Sequence, residues 1–386
     1  MPVLRSTRRR TAALTAAVAL AYGAGLLSGN APARPSATPA PAPSGGSPVA
    51  DLTASAKAGA QTLDRAAVQA LLDKLDDRWA AYLDPAEYAR FEQAIDGHYT
   101  GVGVFVRRGG ATNDVSVSSV QPGSPADRAG LAVGDVIRAV DGANVDPLTI
   151  AAVTNRLRGE AGTPVTVTVV HRGTAREVTM TRVVMADADV TTVRMHDGVT
   201  KITVSSFTRG VGKKVRAAVA GASGGGIVLD LRGNPGGLLQ EAVEVASAFF
   251  DGGPVVTYVP SNGAPQELDA IGTGDTTVPL VVLVDGGTAS AAEVVAAALQ
   301  DRGRAAIIGS ETFGKGTVQQ PLRLGDGAGV EFTVGTYRTP NGRSVDGVGL
   351  TPDIQVAGGS SPSVALARAA AVLTGLMADA RTAGRG

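Results

Sequence analysis

Residues 279–319, PLVVLVDGGTASAAEVVAAALQDRGRAAIIGSETFGKGTVQ, decide the fold class because they join two apolar strands through one helix. PLVVLV and AAIIGS are short apolar runs without alternation, which is typical of strands that are buried on both faces. The alanine-rich segment from about Ser290 to Gln300 has the composition of a helix. Strands and helices continue to alternate from about Val190 to Val356. We therefore predict an α/β domain with a buried sheet.

Two regions with other periodicities precede this domain. From Asp51 to about Gly97 apolar residues recur at three- and four-residue spacing, and Pro85 marks the start of a second helix. From 98 to 185 the period changes to two, with Gly, Pro and Asp turns between short strands and one helix near Thr149–Leu157. The predicted fold is an α/β core with an inserted β-rich domain and an N-terminal helical segment.

The N-terminus has the order of features expected of an export signal. A basic stretch from Arg5 to Arg10 is followed by an apolar run from Thr11 to Leu27 and by small residues. An uncleaved membrane anchor is the alternative, since the run is near the lower length limit for a span. We expect an exported, extracytoplasmic protein, either secreted or held at the cell envelope.

Six parts of the chain follow from these patterns. They are an export signal or anchor (1–30), a Pro/Ala/Ser-rich linker (31–50), a helical region (51–97), a β-rich domain (98–185), an α/β core (186–358) and a C-terminal helix and tail (359–386). The sequence leaves open whether the N-terminal helices mediate a homodimer.

The composition excludes several kinds of chemistry. The chain has 35 basic and 35 acidic residues, so no excess of positive charge points to a nucleic-acid partner. It has no cysteine, which excludes a thiol nucleophile and cysteine-ligated metals, and only 3 histidines for a metal site. We expect neither a metal nor a nucleotide cofactor.

The β-rich region contains a segment that resembles PDZ domains. GSPADRAGLAVGDVIRAVDGANV, residues 123–145, has their order of short helix, turn, strand, turn and strand. PDZ domains bind an extended peptide by strand addition and hold its terminal carboxylate with backbone amides. By this resemblance the glycine-rich run formed by Gly101, Val102, Gly103 and Val104 is the carboxylate-binding loop. Taken alone, the same run is also an ordinary tight turn.

Two turns of the α/β domain expose backbone amides. LDLRGNPGGLL, residues 229–239, places Gly236 and Gly237 between a strand and a helix, as an oxyanion-binding element or as a simple turn. Ser290 begins a helix after a Gly-Gly turn, where the Ala291 N–H could face a developing oxyanion. The alternative for Ser290 is that it only caps the helix.

Lys315 stands out among the cationic residues. The chain has six lysines against twenty-nine arginines, yet this lysine lies between two glycines in an otherwise uncharged stretch. Unlike arginine, a desolvated lysine can lose its proton near neutral pH and act as a base. A serine with a lysine base is a known alternative to the histidine triad.

The whole pattern from about Ala67 to Val356 resembles the carboxyl-terminal processing peptidases, or tail-specific proteases, whose core has a crotonase- and ClpP-like sheet with helices. The resemblance implies that Ser290 is the nucleophile, Lys315 the general base and Gln319 the residue that orients the lysine. It also implies an oxyanion hole formed by the Gly236 and Ala291 amides. The serine and the lysine are 25 residues apart, as the family pattern requires.

The resemblance implies a serine endopeptidase that binds protein C-terminal tails through its PDZ-like domain and cleaves near them. One alternative is a catalytically silent PDZ scaffold that holds exported proteins by their tails. A second is an acyl-group enzyme of the crotonase type, which would need a nucleotide-thioester pocket. We assign no role to residues 264–277.

Overall fold

The computed structural model describes residues 65–75, 77–109, 114–195, 198–222, 224–357 and 360–383. The predicted export segment, the linker and residues 51–64 of the predicted helical region lie outside these ranges. None of the helices found within these ranges is both long enough and apolar enough to cross a bilayer.

The helices of the described residues are α1 (Arg65–Leu72), α2 (Pro85–Ile95), α3 (Pro125–Arg128), α4 (Ile150–Leu157), α5 (Val211–Ala220), α6 (Leu239–Ala246), α7 (Ala291–Asp301) and α8 (Pro362–Ala383). The strands are β1 (Ala81–Leu83), β2 (His98–Gly101), β3 (Val104–Gly109), β4 (Asp114–Val120), β5 (Val136–Val140), β6 (Ala143–Asn144), β7 (Pro164–His171), β8 (Thr174–Thr181), β9 (Val183–Ala186), β10 (Val190–Arg194), β11 (Thr200–Val204), β12 (Ile227–Asp230), β13 (Pro254–Pro260), β14 (Gln266–Asp269), β15 (Leu280–Val284), β16 (Ala306–Gly309), β17 (Thr317–Arg323), β18 (Gly329–Arg338) and β19 (Ile354–Gln355).

A six-stranded sheet with the order β10-β11-β12-β15-β16-β19 forms the centre of the α/β unit. Its strands are parallel except for β10, which runs antiparallel to β11. Alternate residues of the apolar strands enter different cores: Leu229 lies in the core shared with α5, α6 and α7, and Val228 lies in the core shared with α8. The absence of a polar face explains why the strands read as continuous apolar runs.

Helix α7 is buried on all sides. Every residue from Ala291 to Leu299 is buried, and small alanines let the helix pack closely against its neighbours. This helix connects β15 to β16, two neighbouring parallel strands of the sheet. The strand–helix–strand unit predicted from residues 279–319 is therefore present, and the α/β fold class is confirmed.

A second, antiparallel sheet in the same unit has the order β1-β18-β13-β14, and β17 pairs with β18. Alternation along β18 gives its two faces different roles. Val330 and Phe332 pack into a cluster with Val68 and Leu72 of α1. The opposite face carries Glu331, Thr333 and Tyr337, which belong to the candidate site described below.

Residues Tyr99–Met185 form a separate compact unit. Its sheet has the order β3-β4-β5-β7-β8, with β6 paired to β5. Its core is built mainly from valines, among them Val117, Val140 and Val167, to which α4 adds Val153. This architecture confirms the β-rich fold class predicted for this part of the chain.

The structure also contains elements that local patterns did not predict. Strand β1 lies inside the stretch predicted to be helical, because Ala81 pairs with Glu331, a residue 250 positions later in the chain. Strand β14 lies within residues 264–277 and pairs with β13.

Gly309→Ala tests how closely β15 and β16 must approach at their carboxyl ends. Gly309 pairs with Val284, has φ 148°, and an added Cβ would lie 1.8 Å from the Val284 carbonyl oxygen. The backbone must therefore move, and we expect the free energy of unfolding in urea to fall by about 2–4 kcal/mol. Gly303→Ala is the control, since that glycine also has positive φ but open space around it. Equal losses for both variants would contradict the contact argument.

Candidate active site

Two neighbouring parallel strands place the predicted serine and lysine at the same edge of the sheet. Strand β15 ends at Val284 and leads through a turn to Ser290, and β16 ends at Gly309 and leads to Lys315. Residues that follow the carboxyl ends of adjacent parallel strands lie close together, as in other open α/β sheets. The sheet topology therefore brings these two segments together.

Ser290 has a strained backbone. Its φ of 53° and ψ of −120° lie outside the usual regions, and it is one of three non-glycine residues with positive φ in the described ranges. Ordinary caps in this chain do not need such a conformation: the N-caps Asp84 and Thr149 have φ of −64° and −70°. A strained serine on a strand-to-helix turn is typical of a nucleophile rather than of a simple cap.

The Glu293 carboxylate connects the serine segment to the lysine segment. Its Oε2 accepts hydrogen bonds from the Ser290 N–H and the Lys315 N–H, each at 2.9 Å. Its Oε1 accepts from the Gly314 N–H at 2.9 Å and from the Thr312 hydroxyl at 2.5 Å. Glu293 is fully buried, so these four donors compensate for its lost hydration. The sequence analysis missed this residue, although its place three positions after a helix N-cap is a capping-box signal.

Tyr337 makes a second connection between the two segments. Its buried hydroxyl lies 3.2 Å from the Ser290 carbonyl oxygen and 2.8 Å from the Lys315 carbonyl oxygen. Complete burial raises the pKa of this hydroxyl well above its usual value, so it stays a neutral donor. The main chains at Ser290 and Lys315 are thus held together from both sides, by Glu293 and by Tyr337.

The Lys315 side chain is desolvated. It is only 3% exposed, and its Nζ lies 4.4 Å from the ring centroid of Trp79. Within the ranges that the structure describes, no hydrogen bond or salt bridge to this Nζ is found. Burial lowers the pKa of Lys315 to about 8, although the carboxylates of Glu331 and Asp77 act in the opposite direction. A substantial fraction of the amine is therefore neutral at mildly alkaline pH.

Gln319 lies in the wall of the same site. It is fully buried on β17, and its Nε2 donates to the Thr317 hydroxyl at 2.8 Å and to the Thr333 hydroxyl at 3.2 Å. Its Oε1 has no hydrogen-bond partner among the described residues. Gln319 therefore lies at the site with an Oε1 acceptor that is unused among the described residues, but it makes no direct hydrogen bond to Lys315.

Trp79 and Asp77 belong to the site although the sequence analysis gave neither a catalytic place. The Asp77 carboxylate accepts from the Thr333 N–H, the Thr333 hydroxyl and the Trp79 N–H, at 2.6, 3.0 and 2.9 Å. These bonds hold the main chain of Trp79, whose indole lies beside Lys315. The Phe313 ring lies 6.1 Å from the Trp79 ring, measured between centroids. Trp79 is the single tryptophan of the chain, but only the pairing of distant strands brings it here.

The glycine turn before α6 lies against the serine. A Cβ added to Gly236 would lie 2.9 Å from the Ser290 Cβ and 3.1 Å from the Ala291 nitrogen. The Gly236 N–H, however, donates to Asn234 Oδ1 at 2.8 Å, and its carbonyl accepts from the Phe207 N–H at 2.9 Å. In the described part of the chain, neither the Gly237 N–H nor the Ala291 N–H has a protein acceptor.

The predicted peptide-binding loop lies in the other unit. The Val102 carbonyl accepts from the Ala126 N–H and the Gly103 carbonyl from the Gln121 N–H, at 2.9 and 2.8 Å. Gly103 has φ 84°, and an added Cβ would lie 2.2 Å from Ser124 Cβ, so only glycine fits. The loop is thus held rigidly at the start of β3. Groups of acidic or histidine side chains able to hold a metal are not found in the described ranges.

Comparison with known proteins gives two family matches. Residues 198–356 match the model of peptidase family S41, and residues 116–170 match a PDZ domain. The carboxyl-terminal-processing protease of Synechocystis is 36% identical over 298 residues, which are 74% of this chain and 69% of that protein. The chloroplastic C-terminal processing peptidase of Tetradesmus obliquus is 37% identical over 77% of this chain and 68% of its own.

Solved structures are also similar. A putative S41 protease from Bacteroides fragilis has a TM-score of 0.56 at 18% identity, covering 82% of this chain and 91% of its own, which supports the shared fold. The photosystem II D1 C-terminal processing protease is 34% identical, with a TM-score of 0.49, over 77% of this chain and 83% of its own.

Glu293→Gln tests the connection between the two segments. The substitution replaces one of the two acceptor oxygens by an NH₂ group, which then faces N–H donors. We therefore expect the free energy of unfolding to fall by about 2–4 kcal/mol and kcat to fall markedly. Glu241→Gln is a matched control, because Glu241 is a buried carboxylate that accepts the Gly210 and Gly212 N–H groups away from Ser290 and Lys315.

Thermal unfolding measures the effect on stability, and steady-state kinetics at temperatures below the unfolding transition measure the effect on kcat. The control should lose stability and keep kcat. If Glu241→Gln lowers kcat as much as Glu293→Gln does, the effect of Glu293 is general destabilisation and not positioning.

Proposed function

Because the chain belongs to peptidase family S41, together with the carboxyl-terminal-processing proteases it resembles, we propose that it is a serine endopeptidase that uses Ser290 and Lys315. In this proposal the PDZ domain binds the C-terminal tail of a protein substrate, and the α/β unit cleaves the chain near that tail. The site needs no metal and no nucleotide for this chemistry.

The observation that carries the proposal is a buried lysine with a lowered pKa on a segment tied to a strained serine. The neutral Lys315 amine accepts the proton of the Ser290 hydroxyl as the serine oxygen attacks a peptide carbonyl. The ammonium then donates this proton to the leaving amine. Water, deprotonated by the same amine, hydrolyses the acyl-enzyme. Gln319, whose buried Oε1 has no partner among the described residues, is the proposed acceptor that orients Lys315.

The oxyanion hole is proposed to consist of two backbone amides. The Ala291 N–H is one, as the family resemblance implies. For the second, the Gly237 N–H is a better donor than the Gly236 N–H, which already donates to Asn234. In a trans peptide the N–H points opposite to the C=O, and the Gly236 carbonyl points to Phe207. The Gly237 N–H therefore points away from Phe207.

The substrates in this proposal are proteins with free C-termini. Strand addition and carboxylate binding at Gly101–Val104 would select a terminal tail over an internal segment. From the basic stretch and the apolar run of the N-terminus we further propose that the protein acts outside the cytoplasm.

A silent PDZ scaffold explains the α/β unit less well. Such a scaffold has no use for a buried lysine whose amine has no hydrogen bond to the described residues, or for a serine with positive φ, and both cost stability. Costly features of this kind persist where they serve a site. The scaffold predicts tail binding without cleavage, so one experiment separates the two functions.

Substitution of the two proposed catalytic residues is the direct test. We expect Ser290→Ala to lower kcat/KM on a protein with an apolar C-terminal tail by at least about 10³-fold. Lys315→Arg should cost at least about 10²-fold, because arginine stays protonated. Lys213→Arg, at an exposed position on α5, is the control and should keep full activity.

Mass spectrometry of the products and binding of the same tail should be measured in parallel. Tail binding should survive in Ser290→Ala, and amidation of the substrate's C-terminus should weaken it. Cleavage near the wild-type rate by either catalytic variant would overturn the assignment of that residue.

The pH dependence of kcat/KM tests the base. Lys315 acts only when it is neutral, and burial lowers its pKa to about 8. Below this value the neutral fraction falls about tenfold per pH unit, so kcat/KM should rise with pH and level off above about 8. A rate that is constant between pH 6 and 9 would exclude Lys315 as the titrating base.

A further inference from the structure

An exposed aromatic ring lies beside the candidate active site and has no role in the mechanism proposed above. Phe313 is 54% exposed, although it lies only two positions before the buried Lys315. A large apolar side chain in contact with water gains free energy when a ligand covers it. Single exposed apolar residues are common on protein surfaces, so the surroundings of Phe313 decide whether it belongs to a site.

The backbone of Phe313 is fixed close to both proposed catalytic residues. Its N–H donates to the Thr288 carbonyl at 2.9 Å, and Thr288 lies two positions before Ser290. On its other side, the Lys315 N–H donates to the Glu293 carboxylate at 2.9 Å. The exposed ring is therefore attached to an ordered part of the site.

Two other apolar residues adjoin Phe313. The partly exposed Trp79 ring lies 6.1 Å from the Phe313 ring, measured between centroids. Val348 is 69% exposed and lies on a segment that runs beside Phe313, since the Gly347 N–H donates to the Gly314 carbonyl at 3.0 Å. We call Trp79, Phe313 and Val348 the apolar patch. Exposed apolar residues that are grouped beside a reactive group are typical of a substrate-binding surface.

The contact between Trp79 and Lys315 places the apolar patch on one side of the scissile bond. The Lys315 Nζ lies 4.4 Å from the centroid of the Trp79 ring. In the proposed mechanism the Lys315 ammonium protonates the leaving amine, so that nitrogen must come within hydrogen-bond reach of Nζ. The side chain of the residue that carries this nitrogen branches from the carbon bonded to it. That side chain therefore lies next to the indole.

We propose that the apolar patch binds the side chain of the substrate residue immediately after the scissile bond, and that Phe313 makes the enzyme select a large apolar residue there. This inference rests on the proposed endopeptidase function and on Lys315 as the group that protonates the leaving amine. The Phe313 ring lies 6.1 Å from the indole, so a leucine side chain extends toward both rings and an alanine side chain does not. Covering both rings removes more apolar surface from water.

The polar groups near the apolar patch do not offer an alternative partner to the substrate side chain. The Arg78 guanidinium lies 4.9 Å from the centroid of the Trp79 ring, and it already pairs with the Asp346 carboxylate at 3.5 Å. Trp79 Nε1 has no acceptor among the described residues, but this atom is buried. A polar substrate side chain would therefore lose hydration at the apolar patch without gaining a hydrogen bond.

Kinetics on a matched set of substrates test the proposal. One protein substrate should be prepared with leucine, asparagine or alanine immediately after the scissile bond that mass spectrometry maps. We expect the wild-type kcat/KM to be at least about tenfold higher for the leucine form than for either other form. In full-length Phe313→Ser the three values should lie within about threefold of one another, because the remaining surface distinguishes them less. Phe313→Leu keeps an apolar side chain and should retain most of the preference.

A control variant separates selectivity from a general effect of losing an apolar surface residue. Ile271→Ser changes an exposed residue whose N–H donates to the Ser247 hydroxyl and whose carbonyl accepts from Arg216. These contacts lie outside the Ser290 and Lys315 segments, so activity and the preference for leucine should both be kept. If Phe313 only holds Trp79 beside Lys315, Phe313→Ser should instead lower kcat/KM equally for all three substrates.

The fluorescence of Trp79, the single tryptophan of the chain, provides a readout that does not depend on turnover. In the inactive Ser290→Ala protein, binding of a tryptophan-free leucine form should shift the emission to shorter wavelength, because the substrate excludes water from the indole. The asparagine form should shift it less. Adding Phe313→Ser to Ser290→Ala should remove the difference between the two forms.

The possible outcomes are distinct. Loss of the leucine preference in Phe313→Ser, together with loss of the fluorescence difference, supports the proposal. An unchanged preference, or an equal loss on all substrates, in a variant that still unfolds cooperatively overturns it. Equal cleavage of the three forms by the wild type also overturns it and leaves the proposed function in place. Absence of cleavage of every form would refute the proposed function itself, and this inference with it.

Discussion

The buried carboxylate of Glu293 is the interaction on which the rest of the site depends. It accepts hydrogen bonds from the backbone of Ser290, Gly314 and Lys315 and from the Thr312 hydroxyl. A buried carboxylate is tolerated only when hydrogen-bond donors replace its hydration. Because Glu293 takes these donors from the Ser290 segment and the Lys315 segment, it holds the two segments together.

Desolvation of the Lys315 amine sets its basicity. Lys315 is enclosed by the indole of Trp79 and by the inner face of β18, and this enclosure lowers its pKa. The enclosure depends on the second sheet, in which β1 carries Trp79's segment to β18. The antiparallel sheet therefore does more than cover the site, because the burial that it provides lowers the pKa of the lysine.

Much of the α/β unit could be predicted from local patterns, because its strands are continuous apolar runs and α7 is alanine-rich. The start of α2 was likewise visible in the sequence, as Pro85 following Asp84. Strand β1 could not be predicted, since its pairing partner is far away in the chain. The sequence also could not predict which N–H of the glycine turn is available as an oxyanion donor. This depends on which of them donates to the Asn234 side chain, and in the structure it is the Gly236 N–H.

The order of residue types along the chain was sufficient to identify the α/β and PDZ-like parts and to propose a hydroxyl nucleophile and a lysine base. In a chain without cysteine and with three histidines, a serine and a rare lysine on glycine-rich turns are distinctive. Tertiary structure alone decided what surrounds them: Glu293 lies between the two segments, and Trp79 lies against the amine. The reason is physical, since a pKa depends on burial and on neighbouring charges, and strand pairing brings these together from distant parts of the chain.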